Sequence, residues 1–135
     1  MEILLPLPVY QIMLAHVQNA LPWEACGLLA GTDNLVSHVY LIDNIMHSPI
    51  AFEMDPGQQL AAMLHVEEQG LALLAAFHSH PLGPQTPSQT DVAKAFYPEL
   101  VQIIIALNDR QNPSARAFTI VEREISEILL RVVDD

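Results

Sequence analysis

The segment His78-Ser79-His80-Pro81, followed by Ser88 and Asp91, carries the clearest chemistry in this sequence. Residues two apart on a strand project to the same face. His78 and His80 would then present two imidazoles side by side. A stiff loop follows, with Pro81, Gly83, Pro84 and Pro87 in it, and Ser88 is placed to cap a helix with Asp91 in its first turn. Two neutral imidazoles and a carboxylate suit Zn²⁺, at roughly 2.0–2.2 Å per bond. Three protein ligands leave a fourth position for water, which separates a catalytic zinc from a structural one. The same residues also have an ordinary explanation. Two histidines at this spacing arise by chance, and Ser-x-x-Asp resembles a helix capping box. Residue types alone leave both explanations standing.

Other chemistries find less support. There is no His-Glu-x-x-His, no Gly-rich phosphate loop and no Gly-x-Ser-x-Gly elbow. Cys26 is the only cysteine, so the chain can form neither an internal disulfide nor the Pro-Cys-x-x-Cys half of a zinc deaminase site. Cys26 lies in an apolar stretch and reads as a small core residue. His16, His38, His47 and His65 stand in no comparable constellation and read as surface or core residues.

Several elements must position the cluster. Pro8 to Ala20 has Val9, Ile12, Met13 and Val17 at helical spacing, and Pro22 ends the helix. Glu24 to Ala30 and Leu35 to Ile42 read as strands joined by the Thr32-Asp33-Asn34 turn. Asp55-Pro56 opens a second helix that runs to about Gln69 and stops at Gly70. Leu71 to His80 reads as a central strand. A third helix is expected from Ser88 to just before Pro98, and Leu100 to Leu107 as another strand. Arg116 to Val121 and Ile125 to Val133 pair as a terminal hairpin, with a helix as the alternative for the second segment. Helices and strands alternate along much of the chain. That predicts an α/β fold, a mixed central sheet covered by helices in three layers, as one domain over residues 1–135.

Composition narrows the partners. Of 135 residues, 16 are acidic and five are Lys or Arg, for a formal net charge of -11. Nothing before Lys94 is Lys or Arg. Nucleic-acid binding relies on Lys and Arg contacts to phosphate, so neither nucleic acid nor an anionic membrane is expected as a partner. No apolar stretch approaches the roughly 20 residues that span a bilayer, and the N-terminus lacks the basic start of a signal peptide. A cytoplasmic protein is expected.

The spacing His-Ser-His-Pro, six residues, Ser-x-x-Asp resembles the JAMM motif of MPN-plus zinc metalloproteases. That family also has an upstream glutamate, in a context that Pro22-Trp23-Glu24-Ala25-Cys26-Gly27-Leu28-Leu29-Ala30-Gly31 matches throughout. Phe52-Glu53-Met54-Asp55-Pro56, Pro87-Ser88-x-x-Asp91-Val92 and Tyr97-Pro98 are similar to bacterial members. The likeness extends from about Pro8 to Phe118. It implies a JAMM/MPN fold, similar to that of cytidine deaminase. It implies one zinc per chain on His78, His80 and Asp91. Glu24 would carry a proton from an activated water to the leaving amine, and Ser88 would help stabilise the oxyanion.

The resemblance also implies a substrate class. Members cut the peptide or isopeptide bond after the Gly-Gly tail of ubiquitin-like or β-grasp sulfur-carrier proteins. This chain is compact and resembles prokaryotic members, of which some trim a C-terminal amino acid and others release conjugates. The sequence does not choose between these, and it leaves open whether the chain forms a homodimer. The competing expectation is a non-catalytic MPN scaffold that binds a protein partner. Scaffolds of that kind usually lack one or more ligands, and here every ligand is present.

Overall fold

A computed structural model describes residues 1–134. Seven strands and three helices follow one another as β1 (Glu2–Pro6), α1 (Leu7–Ala20), β2 (Cys26–Thr32), β3 (Leu35–Ile42), α2 (Pro56–Glu68), β4 (Ala72–His80), α3 (Gln89–Ala93), β5 (Val101–Ala106), β6 (Ser114–Val121) and β7 (Glu124–Val133). The strands form one mixed sheet in the order β1-β3-β2-β4-β5-β6-β7. β4 runs parallel to β5 and antiparallel to β2. The sheet curls until β1, parallel to both β3 and β7, closes it into a barrel.

Alternation along the strands divides the interior into two clusters. Ala75 and Phe77 of β4 and Leu29 of β2 face one side, where Val9, Met13 and Val17 of α1 join them. Cys26 and Leu28 of β2 face the other side, with Ile42 and with Ala62 of α2. A helix thus lies on each face of the sheet, as the α/β reading requires. His78 and His80 continue the α2-side face at the end of β4.

The local signals account for most boundaries. Pro8 stands in the first turn of α1, where its missing N–H is harmless. Asp55 caps α2, its side chain accepting from the Gln58 N–H at 3.0 Å. The terminal hairpin is strand on both sides, so the helical alternative for its second arm does not hold. Two other expectations are corrected. β1 was not anticipated, because five residues ending in proline carry too short an alternation to register. α3 ends at Ala93 and not near Pro98, since the segment beyond it buries no apolar face. Among the described residues no helix is long and apolar enough to cross a membrane.

Gly31 sits where the β2–β3 register shifts. A Cβ there would strike the Leu35 carbonyl, which is backbone and cannot step aside. Gly31→Ala should therefore destabilise the fold by about 1–3 kcal/mol. Chemical denaturation of the two proteins checks this, and an unchanged midpoint would refute the steric reading.

Candidate metal centre and active site

β4 is the organising strand of the site. Ser79, between the two histidines, points to the opposite face and is fully buried. Its Oγ accepts the Ala25 N–H at 2.9 Å, and its own N–H donates to the Ala25 carbonyl at 3.0 Å. This cross-strand lock fixes the face on which His78 and His80 emerge. It also fixes the start of β2. Cys26 pairs with His78, so continuing the register by two residues sets Glu24 opposite His80.

Asp91 arrives from α3. The Ser88 side chain accepts the Asp91 N–H at 3.0 Å, and the Asp91 carboxylate accepts the Ser88 N–H at 2.9 Å. This reciprocal capping box turns Oδ2 of Asp91 toward β4. Oδ2 lies 3.1 Å from Nε2 of His78 and 3.1 Å from Nε2 of His80, and the two nitrogens are 3.1 Å apart. His78 and His80 are buried, and the Asp91 side chain is only 11% exposed.

The chemistry of these three atoms can be tested against a metal ion. Nδ1 of His80 lies 2.8 Å from the Pro84 carbonyl, which can only accept, so that nitrogen carries the hydrogen. In the neutral ring Nε2 then bears a lone pair, and it faces both a carboxylate oxygen and a second imidazole nitrogen. Such an arrangement needs either a shared proton, which makes an imidazole the hydrogen-bond donor to Asp91, or a shared cation. Ligand atoms about 2.0–2.1 Å from one ion at tetrahedral angles stand roughly 3.3 Å apart, close to the spacing seen here. The residues fit a metal ion. The Pro84 carbonyl supplies the outer contact that orients a ligating imidazole.

The site's titrating groups reflect this crowding. Burial alone would raise the pKa of Asp91, but hydrogen bonds from His78 and His80 and from the Ser88 N–H hold it well below the usual carboxylate range. Burial alone would lower that of His80. Its hydrogen bonds to Asp91 and to the Pro84 carbonyl, with the charges of Asp91 and Glu24, raise it on balance. Glu24 is 5% exposed. Burial pushes its carboxyl up to about 7, opposed by His80 and assisted by Asp91. A carboxyl near 7 can both accept and return a proton at neutral pH.

The loop between β3 and α2 holds Glu24 from outside. Asn44 is buried. Its side-chain amide donates to the Glu24 carbonyl at 2.9 Å and the Ala51 carbonyl at 3.1 Å. Its carbonyl oxygen accepts the N–H groups of Met46 and Glu53 at 2.9 and 3.0 Å. The Ser48 carbonyl accepts the Glu24 N–H at 2.8 Å. Phe52 stacks on the His78 ring, with centroids 4.6 Å apart. One loop thus grips the backbone on both sides of Glu24 and backs an imidazole. Sequence reasoning missed Asn44. It follows a strand, as loop asparagines often do, and the carbonyls its amide reaches lie seven and 20 residues away.

Of the residues singled out in the sequence, the structure brings His78, His80, Asp91 and Glu24 together, with Ser88 adjoining as cap of α3. His16, His38, His47 and His65 do not join the His78, His80 and Asp91 triangle, although His16 and His47 line a pocket with Glu24. His16 binds the Cys26 carbonyl at 3.0 Å, and His65 binds the Tyr40 hydroxyl at 2.7 Å. Cys26 is a core residue, its thiol pushed up to about 12 by burial and by the charges of Asp43 and Glu24.

A helix-covered mixed sheet thus brings two buried imidazoles and a carboxylate to one point, a group that could hold a metal ion. Prokaryotic homologs of the JAB domain match residues 6–121, and the chain belongs to that family. It is similar to the CysO-cysteine peptidase of Mycobacterium tuberculosis, 30% identical over 125 residues, covering 90% of this chain and 85% of that one. It is 42% identical over 69 residues to the desampylase of Pyrococcus furiosus, covering 51% of this chain and 49% of that one. A solution structure from Desulfitobacterium hafniense superimposes with a TM-score of 0.90 at 37% identity, covering all of this chain and 94% of the other. The protein is a peptidase of that family with a JAB1/MPN fold.

The raised carboxyl of Glu24 has a consequence for stability in the metal-free protein. Its folded pKa lies near 7 against an ordinary 4.5. Between those values the folded state keeps a proton that the unfolded state has released, so stability falls as pH rises through the window. Glu24→Gln removes the part of that fall that Glu24 causes. Allowing for residual contact with solvent, the variant should gain on the order of 1–2 kcal/mol over wild type between pH 5 and pH 8. Denaturation of both metal-free proteins at the two pH values checks this. Parallel profiles would mean that burial does not penalise the carboxylate.

Proposed function

We propose that this protein is a zinc-dependent peptidase or isopeptidase that cuts after the C-terminal Gly-Gly of a ubiquitin-like or sulfur-carrier protein. The observation that carries the reading is the 3.1 Å triangle of His78, His80 and Asp91 with the buried carboxyl of Glu24 beside it. His78, His80 and Asp91 would hold the ion, through two nitrogens and one oxygen, a donor set that suits zinc. A bound zinc would lower the pKa of a water to about 7 and polarise the scissile carbonyl. Glu24 would take a proton from the attacking water and return it to the departing nitrogen. Ser88, while capping α3 through its oxygen, retains a hydroxyl hydrogen to donate to the developing oxyanion. The relatives named CysO-cysteine peptidase and desampylase support the substrate class.

The test is incubation of zinc-loaded protein with a sulfur-carrier protein that bears a C-terminal extension, followed by mass spectrometry. Cleavage should fall after Gly-Gly. Purified protein should bind about one zinc per chain, and His80→Ala should lose most of it. Glu24→Gln should keep zinc and lose about 10²–10⁴ in turnover. Undiminished cleavage by metal-free protein would sink the reading.

Ser88 separates two roles. Aspartate is a good N-cap, so Ser88→Asp should retain the stability of α3. Its charge would stand where the oxyanion forms, and turnover should drop by about 10²–10³. A stable, zinc-loaded Ser88→Asp protein with wild-type turnover would leave Ser88 as a cap alone.

A further inference from the structure

We propose that the pocket beside Glu24 receives the leaving group, and that Asp43 and Asp55 make it accept an amine that carries no carboxylate and turn away a residue that ends in one. The inference rests on the reading of Glu24 as proton carrier. It selects, between the two kinds of cleavage open to such an enzyme, release of a lysine side chain over trimming of a terminal amino acid.

The pocket has a volume of about 380 Å³ and is lined by Trp23, Glu24, Asp43, Asn44, His47 and Asp55, among others. Glu24 joins it to the metal centre, since the strand register sets Glu24 opposite His80. Its carboxylate takes no hydrogen bond among the described residues, and since none of their fully buried side-chain oxygens lacks a partner, it reaches open space. A proton carrier must reach the departing nitrogen. That nitrogen therefore sits at Glu24, and the rest of the leaving group extends into the space that Glu24 lines. The pocket on the other side of the centre, against His78, Asp91 and Lys94, is about 50 Å³.

Charge then decides what fits. Glu24, Asp43 and Asp55 supply three carboxyl groups, and no Lys or Arg lines the pocket. Asp43 accepts from the Gln58 side-chain amide and Asp55 from the Gln58 N–H. These donors are neutral, so neither aspartate is offset by a cation through them. Among the described residues neither aspartate forms an ion pair. The His16 Nε2–H is committed to the Cys26 carbonyl at 3.0 Å. His47 remains, and imidazole is not a permanent cation.

A terminal amino acid carries its carboxylate two bonds from the leaving nitrogen, and would place it among these groups. Like charges in such proximity are costly. A lysine leaving group brings an aliphatic stem and ends as an ammonium ion. In the reaction, water's oxygen bonds to the glycine carbonyl carbon, the C–N bond breaks, and the nitrogen takes a proton through Glu24. The products are a glycine carboxylate and a protonated amine, which the pocket favours.

The experiment uses zinc-loaded protein and one Gly-Gly-ending carrier in three forms. The first is joined to the lysine Nε of an amidated peptide. The second ends in one further alanine with a free carboxylate, and the third in alanine carboxamide. The first and third should be cleaved with kcat/KM about tenfold or more above the second. Asp43→Asn with Asp55→Asn should narrow that gap. Asparagine keeps the cap of α2, and Asp43→Asn alone, which leaves the cap untouched, should shift the ratio in the same direction. Equal cleavage of the second and third forms, or a ratio the variants leave unmoved, overturns the proposal while the metal and Glu24 assignments survive. Cleavage of none of the three would fell the functional reading itself. Binding offers a second readout, because Trp23 is the only tryptophan and lines the pocket. In metal-free protein, lysine amide should change its fluorescence at lower concentration than N-acetylglycine. Any other order overturns the assignment of the pocket.

Discussion

Three atoms that each offer an electron pair meet at 3.1 Å, and the rest of the structure serves to keep them there. Left to themselves such atoms separate or borrow protons. Here separation is prevented by two independent devices. The Ser79–Ala25 lock sets the rotation of β4, and the capping box sets the approach of Asp91. Neither device is costly, since each satisfies backbone groups that would otherwise need partners. The same hydrogen bonds that stabilise the fold thereby preorganise a cation site.

Preorganisation extends beyond the three ligands. Glu24 precedes β2 and has no ladder of its own to fix it. The β3–α2 loop replaces that ladder, clamping the N–H and carbonyl of Glu24 through Ser48 and Asn44. Because Phe52 of the same loop stacks on His78, the Glu24 carboxyl and one imidazole of the triangle share a support. Burial of Glu24 also raises the pKa of its carboxyl.

How much of this was legible in the sequence depended on distance along the chain. His78, His80 and Asp91 lie within 14 residues, and strand period plus a helix cap suffices to converge them. α1 and α2 announced themselves through proline, aspartate and apolar spacing. The link to Glu24 was available only through resemblance, because no local rule connects residues 54 positions apart; cross-strand register makes that connection. Asn44 escaped for the same reason. β1 escaped because its hydrogen-bonding partners, β3 and β7, lie far along the chain. α3 was overextended because cap chemistry marks where a helix starts, whereas its end depends on packing that the segment beyond Ala93 does not have.

Closure of the sheet through β1 has a kinetic consequence. Glu2 pairs with Leu129 and Pro6 with Val133, so the last seam joins opposite ends of the described chain. The entropy of closing so long a loop must be offset before the seam yields any contact energy. Folding of this topology is therefore governed by non-local pairing, which slows it relative to proteins built from neighbouring contacts. β4 and its partners form from shorter separations, so the cluster of His78, His80 and Asp91 can assemble inside a sheet whose seam is still open.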